Sequence, residues 1–105
     1  MAQCYVVFVT TPNRRVSEAM SKGLVKSKLA ACVNVVPSLR SRYWWKGKVA
    51  TAKEELLLIK TNQTRLPKLI QWVKTHHPYA VCEVVALSIA SGNKPYLNWI
   101  HQSLR

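Results

Sequence analysis

The stretch from Ala31 to Thr61 constrains the fold of this chain more than any other. Two apolar arms, rich in Val and Leu and carrying Tyr43, Trp44 and Trp45, flank Lys46-Gly47-Lys48. Gly47 can supply the positive φ of a tight turn, so the segment predicts one long β-hairpin. Strands of about 5–6 residues are the common case, and arms this extended project past the rest of a small sheet. A projecting arm with two tryptophans near its tip needs a surface to pack against, and a second subunit is the expected one. Pro37 interrupts the first arm. Because proline cannot donate to a β ladder, it predicts an edge position or a bulge there.

Around this hairpin the remaining chain alternates in type. Gln3–Thr10 is a β-branched and aromatic run, the expected first strand. Asn13 can cap a helix that buries Val16, Ala19, Met20, Gly23, Leu24 and Ser27 and turns Arg15, Glu18, Lys22 and Lys26 outward. After the hairpin, Leu66, Leu69, Ile70, Val73 and His77 share one face of a second helix, with Pro67 in its first turn and Pro78 ending it. Cys82–Ile89 reads as the fourth strand. Asn93 and Pro95 open a final helix expected to bury Tyr96, Trp99 and Ile100.

The order predicts an α+β, ferredoxin-like βαββαβ sandwich with a long β2-β3 hairpin and a C-terminal helix. If the sheet face without helices met water, its strands would alternate apolar and polar residues. Tyr5–Val9, Leu56–Ile59 and Val84–Leu87 are apolar on both sides instead. The chain has little left to cover that face, so further copies of itself in a symmetric oligomer are expected to do so.

At 105 residues and 49% hydrophobic content, the chain has the size and core material of a single domain, 1–105. No leader is expected, and no apolar run approaches the roughly 20 residues that span a bilayer; a soluble protein without membrane partners follows. Cys4, Cys32 and Cys82 are odd in number and lack Cys-x-x-Cys spacing, which signals neither a disulfide framework nor a zinc cluster. Free thiols in a reducing, cytoplasmic location are the expectation. Sixteen Lys and Arg stand against Glu18, Glu54, Glu55 and Glu83, for a net charge of +12. Such a field attracts polyanions non-specifically. The basic residues are spread over all segments, which argues against a dedicated nucleic-acid site.

Several ordered blocks then carry a resemblance across nearly the whole chain: VTTP at Val9–Pro12, KLAACVNVVP at Lys28–Pro37, YWWKGKV at Tyr43–Val49, LLLIKT at Leu56–Thr61, HHPY at His76–Tyr79, Glu83 before V-x-AL, and GN-x-x-YL-x-W at Gly92–Trp99. In these the chain resembles the CutA family of divalent-cation tolerance proteins. The resemblance implies a very stable, thermostable homotrimer of ferredoxin-like subunits embraced by the long hairpin, and a role in the response to metal ions. Two departures stand out. The family's second hairpin arm usually begins with several acids, whereas Val49-Ala50-Thr51-Ala52-Lys53 stands here, and Cys82 replaces a common proline. A naturally basic composition and charge engineering both explain the missing acids; close homologues of equal charge would decide for the first.

His76-His77 is the candidate metal pair, because imidazole suits copper and zinc, and some bacterial relatives are associated with copper through this pair. Adjacent helical residues project about 100° apart, so one ion held by both rings requires the helix to have unwound at Pro78. Those relatives add a cysteine where Val9 stands here. The competing structural account has His77 hydrogen-bonded against the core and His76 exposed at a helix C-terminus. No cofactor is obligatory on this reading; Cu2+ or another divalent cation is the ion to test.

A second candidate is an intersubunit ligand pocket of Tyr43, Trp45, Lys60, His77, Tyr79 and Glu83, all from the resembling blocks. Lys60 and Glu83 would satisfy each other as an ion pair, or a free Lys60 would hold an anionic metabolite. Enzyme readings are weaker. Cys82 and His77 lack a recognisable orienting carboxylate, no glycine-rich loop follows Arg14-Arg15, and the third strand lacks the aromatics with which RNA-binding sheets stack bases. The alternatives to metal tolerance are therefore a trimeric small-ligand sensor and a polyanion-binding module.

Overall fold

The computed structural model describes residues 3–105. Asn13 starts the first helix as its chemistry predicts: its side-chain oxygen accepts from the Val16 N–H at 3.0 Å, and α1 runs over Arg14–Lys26. Before it lies β1 (Cys4–Thr11), and after it the hairpin strands β2 (Cys32–Trp45) and β3 (Lys48–Asn62). Then follow α2 (Leu66–His76), β4 (Val84–Ser88) and α3 (Lys94–Ser103). The strands form one antiparallel sheet in the order β2-β3-β1-β4. This is the expected α+β, β-α-β-β-α-β succession with a terminal helix.

One sheet face packs under α1 and α2. Val7, Val9, Leu57 and Ile59 meet Met20, Leu24, Leu69 and Val73 in a single apolar cluster, each buried side chain contributing about 1.5–3 kcal/mol. Gly23 lets the two helices approach: a Cβ there would lie 2.6 Å from Trp72 Cζ2. The α1 face differs in detail from the expected one. Ala19 and Ser27 are exposed, while Ser17 is buried with its hydroxyl 2.5 Å from that of Thr11. A pattern of apolar positions cannot register a serine whose polar group finds a partner inside.

The last helix also turns a different face inward. Ile100 and Leu104 pack with Cys4, Ala31, Ile89 and Leu97. Tyr96 and Trp99, expected inside, are exposed and stack on each other at 5.6 Å between centroids. Positions 97, 100 and 104 satisfy helical spacing as well as 96, 99 and 100 do, and the aliphatic set has no polar atom to keep wet.

In the hairpin, Lys46 and Gly47 both have positive φ, 49° and 76°, and Trp45 pairs with Lys48, which makes a two-residue turn of the type whose twist matches its strands. Pro37 stands at a register shift between Val36 and Leu39, where Ser38 has a φ of 62°, and β2 is an edge strand. The extra residue changes what the arm presents. Val36 pairs with Leu56 and Leu39 with Glu54, so beyond the bulge the odd-numbered Tyr43 and Trp45 share the face that Asn34 and Val36 occupy before it. Without the extra residue Trp44 would take that side.

The other sheet face carries no α1 or α2. Val6, Phe8, Leu56, Leu58, Val85 and Leu87 alternate with the core residues and are half-buried or exposed, Leu87 at 53%. Its end at Cys4 is closed by α3, and at the opposite end Thr10 and Glu54 are buried. The apolar two-sidedness of the strands thus has the predicted counterpart, a sheet face that this chain leaves largely bare. Among the described residues no helix is long and apolar enough to cross a membrane.

Candidate functional site

Where the hairpin leaves the sheet, the chain between α2 and β4 folds beside it and encloses a cleft of about 600 Å³. Its walls come from three places. The bulge turns Tyr43 and Trp45 inward from the hairpin, with Ser41 and Arg42 beside them, Thr10 and Glu54 contribute from β1 and β3, and Tyr79, Val81 and Glu83 from the loop. Pro78 matters here. It stops α2, His77 takes an extended backbone (φ −80°, ψ 138°), and the chain turns toward the hairpin.

A hydrogen-bond chain fixes this loop. His77 is 7% exposed; its Nδ1 accepts the Tyr79 backbone N–H at 3.0 Å, so the ring hydrogen sits on Nε2 and meets the Thr10 carbonyl at 2.7 Å. The His77 and Tyr79 rings lie 4.7 Å apart. The Tyr79 hydroxyl donates to Glu54 Oε2 at 3.0 Å. Burial first, then the Glu54 carboxylate that the hydroxyl serves, push the Tyr79 phenol up to about 12.

Of the expected pocket residues, Tyr43, Trp45, Tyr79 and Glu83 line the cleft, and His77 supports it from behind through Tyr79. Lys60 of the same chain does not join them. It pairs with Val6 and Cys32, about 20 Å along β3 from Glu54 at roughly 3.3 Å per residue, and its amine donates to Asn34 Oδ1. Within one chain Lys60 is thus held by this asparagine and stands apart from Glu83, because a family block records which residues occur and not how far apart a strand carries them. Glu54, absent from the expected set, takes the place of the charged group in the cleft. Its signal in the sequence is faint: one of only four acids, on the arm opposite the aromatic tip.

The two histidines do not converge on one ion. Both His77 nitrogens are occupied by backbone groups, whereas His76 is exposed, stacks on Trp72 at 3.9 Å, and uses Nδ1–H on the Trp72 carbonyl at 2.8 Å. His76 Nε2 is thus the imidazole nitrogen of the pair left for a metal. Among the described residues no group of three His, Cys, Asp or Glu side chains stands together as a metal site.

The cysteines are free, Cys4 buried and Cys32 and Cys82 half-buried. The Cys–His pair that forms is Cys4 with His101, Sγ to Nε2 at 3.3 Å, and Asn62 Nδ2–H donates to His101 Nδ1 at 3.2 Å. Burial pushes the Cys4 thiol up, which favours the thiol over the nucleophilic thiolate. On the hairpin, Arg40 lies directly across from Lys53, and with Arg42 they border a shallow hollow of about 440 Å³.

With this geometry in place, the comparisons with known proteins are specific. The family profile described as CutA1 divalent ion tolerance protein matches residues 5–103. The chain is 49% identical to the divalent-cation tolerance protein CutA of Thermus thermophilus over 98 residues, 93% of this chain and 95% of that protein. It is also 49% identical to the chloroplastic protein CutA 1 of Oryza sativa over 100 residues, 95% of this chain and 56% of the rice protein. The crystal structure of CutA1 from Oryza sativa superposes with a TM-score of 0.96 at 47% identity, covering 99% of this chain and 95% of that one. The chain therefore belongs to the CutA1 divalent ion tolerance family. It spans about half the length of the curated plant and mouse relatives it matches.

Proposed function

We propose that this chain serves divalent-cation tolerance as a cytoplasmic, non-catalytic homotrimer whose subunits cover one another's open sheet faces. The observation that carries this reading is the bare face itself. Val6, Phe8, Leu56, Leu58, Val85 and Leu87 form a contiguous apolar surface that continues past Val36 toward Tyr43 and Trp45 on the same side of the hairpin. Contiguous apolar patches of this kind mark interaction surfaces, and closed homo-oligomers are the usual way to satisfy them. The relatives' names supply divalent-cation tolerance, and the free thiols fit a reducing compartment.

Metal contact on this reading is light. His76 Nε2 offers one ligand for Cu2+ or another divalent cation, and the remaining positions go to water or to groups of other subunits. Light scattering tests the assembly: the parent runs as a trimer at micromolar concentration, and Leu87→Asp, placed where Leu87 is half-exposed, dissociates it with an unchanged far-UV spectrum. A monomeric parent ends the reading. Copper titration tests the metal: His76→Ala abolishes the residual binding, whereas His77→Ala lowers stability without changing it.

A second reading, a small-ligand sensor, is favoured by one observation, the aromatic cleft with the nine-tenths-buried Glu54 at its base.

A further inference from the structure

Within one chain the cleft keeps Glu83, gains Glu54 and lacks Lys60. Lys60, the group that would have attracted an anion, is bound to Asn34 elsewhere on the sheet. The cleft instead holds Glu54 and Glu83, two of the four carboxylates in a chain of net charge +12, against one cation in its lining, Arg42. Glu54 is 8% exposed, and the hydrogen bond its carboxylate receives among the described residues comes from one neutral phenol, that of Tyr79. A carboxylate withdrawn from water is costly unless a cation or several donors compensate. Around it stand the rings of Tyr43, Trp45 and Tyr79, whose faces attract cations. Trp45 already shows the tendency: Lys46 Nζ lies 6.0 Å from its centroid.

We propose that this cleft binds an organic cation, a small alkylammonium group, with its charge directed at Glu54 and its methyl or methylene groups against Tyr43, Trp45 and Tyr79. The inference rests on the cleft being a ligand site, the sensor reading above. Volume and lining suit that class. Ligand pockets run from about 300 to 1,000 Å³, and the 600 Å³ here far exceeds a bare metal ion. A hard divalent ion takes six or more oxygen ligands gathered closely around it, and much of this lining is ring and aliphatic surface. An alkylammonium needs one carboxylate and apolar contact, which is what the walls provide. The same chemistry can arrive as a free amine or as a lysine side chain of another protein copy.

The test is an NMR titration of the intact protein with tetramethylammonium chloride, sodium chloride at equal ionic strength, and the neutral isostere 3,3-dimethyl-1-butanol. The expected result is saturable movement of the Trp45 indole and the Tyr43 and Tyr79 ring resonances with tetramethylammonium alone, with a Kd on the order of millimolar. Glu54→Gln and the surface change Trp45→Leu each weaken binding roughly tenfold, about one 1.4 kcal/mol step, with an unchanged far-UV spectrum. Lys60→Ala leaves it unaltered. Equal response to the neutral isostere or to sodium chloride, no response well above millimolar, or full binding in both variants overturns the proposal.

Light scattering on the same samples separates the sources and the readings. If tetramethylammonium shifts the oligomer equilibrium as it binds, the natural occupant is a cation of a second copy; if assembly is unmoved, it is a free amine. A trimer whose cleft ignores the probe removes this inference and leaves assembly standing. A monomer that binds it does the reverse.

Discussion

The Tyr79 hydroxyl donates to Glu54 Oε2 across 3.0 Å, tying the loop after α2 to the point where the hairpin leaves the sheet. Tyr79→Phe removes the donor and leaves a carboxylate that is 8% exposed without it. An unsatisfied buried acceptor costs about 1–3 kcal/mol, so urea denaturation of the Phe variant should show a loss in that range. Glu54→Gln keeps an acceptor oxygen and should lose less. Equal stability of Tyr79→Phe and parent would mean that the bond exchanges freely with water.

The same pair sets a pH dependence at the alkaline end. The Tyr79 phenol is raised from 10.0 to about 12, by burial and then by the Glu54 carboxylate. The folded protein holds this proton more tightly than the unfolded chain does. Its contribution to stability is therefore fully present below pH 10 and is lost as pH rises through about 12. Phenolate absorbance should place the Tyr79 step near the top of that window. Tyr79→Phe should delete that step and flatten the alkaline fall in stability.

Much of this arrangement is legible in the residues, and the rest fails for identifiable reasons. Local chemistry reads well: Asn13 caps α1, Gly47 takes positive φ, and Pro37 marks both an edge strand and a bulge. The bare sheet face follows from strands that are apolar on both sides. What stays hidden is where chains of unequal length bring side chains. Nothing in the spacing shows that Tyr79 reaches Glu54 while Lys60 turns to Asn34. In α3, Leu97, Ile100 and Leu104 compete with Tyr96 and Trp99 for the buried side at equal periodicity.

Two glycine substitutions should destabilise for different causes. A Cβ on Gly47 meets nothing within 4 Å, but its φ of 76° disfavours any L side chain. Gly47→Ala should lose about 1 kcal/mol through backbone strain alone, within the 1–2 kcal/mol of the left-handed region. Gly23→Ala gains helix propensity, yet its Cβ would stand 2.6 Å from Trp72 Cζ2. The indole must leave its stack on His76, and overpacking of about 1–3 kcal/mol outweighs the gain. In a double-mutant cycle, Trp72→Leu should relieve the Gly23→Ala loss and leave the Gly47→Ala loss untouched.

The basic charge of the hairpin has its own energetic signature. Arg40 and Lys53 are both exposed and sit directly opposite each other on β2 and β3, with Arg42 beside them. Like charges in that relation destabilise a sheet by a few tenths to about 1 kcal/mol, and opposite charges stabilise it by a similar amount. Lys53→Glu should therefore raise stability by about 1 kcal/mol at low salt. The gain should shrink toward zero as ionic strength approaches 1 M, where the Debye length is about 3 Å. The same substitution should reduce retention on heparin, because it reverses one charge in the hollow between Arg40 and Arg42. A stability gain that persists at high salt would point to packing of the glutamate stem instead of charge. Unchanged heparin retention would show that polyanions are held by the dispersed lysines and not by this face of the hairpin.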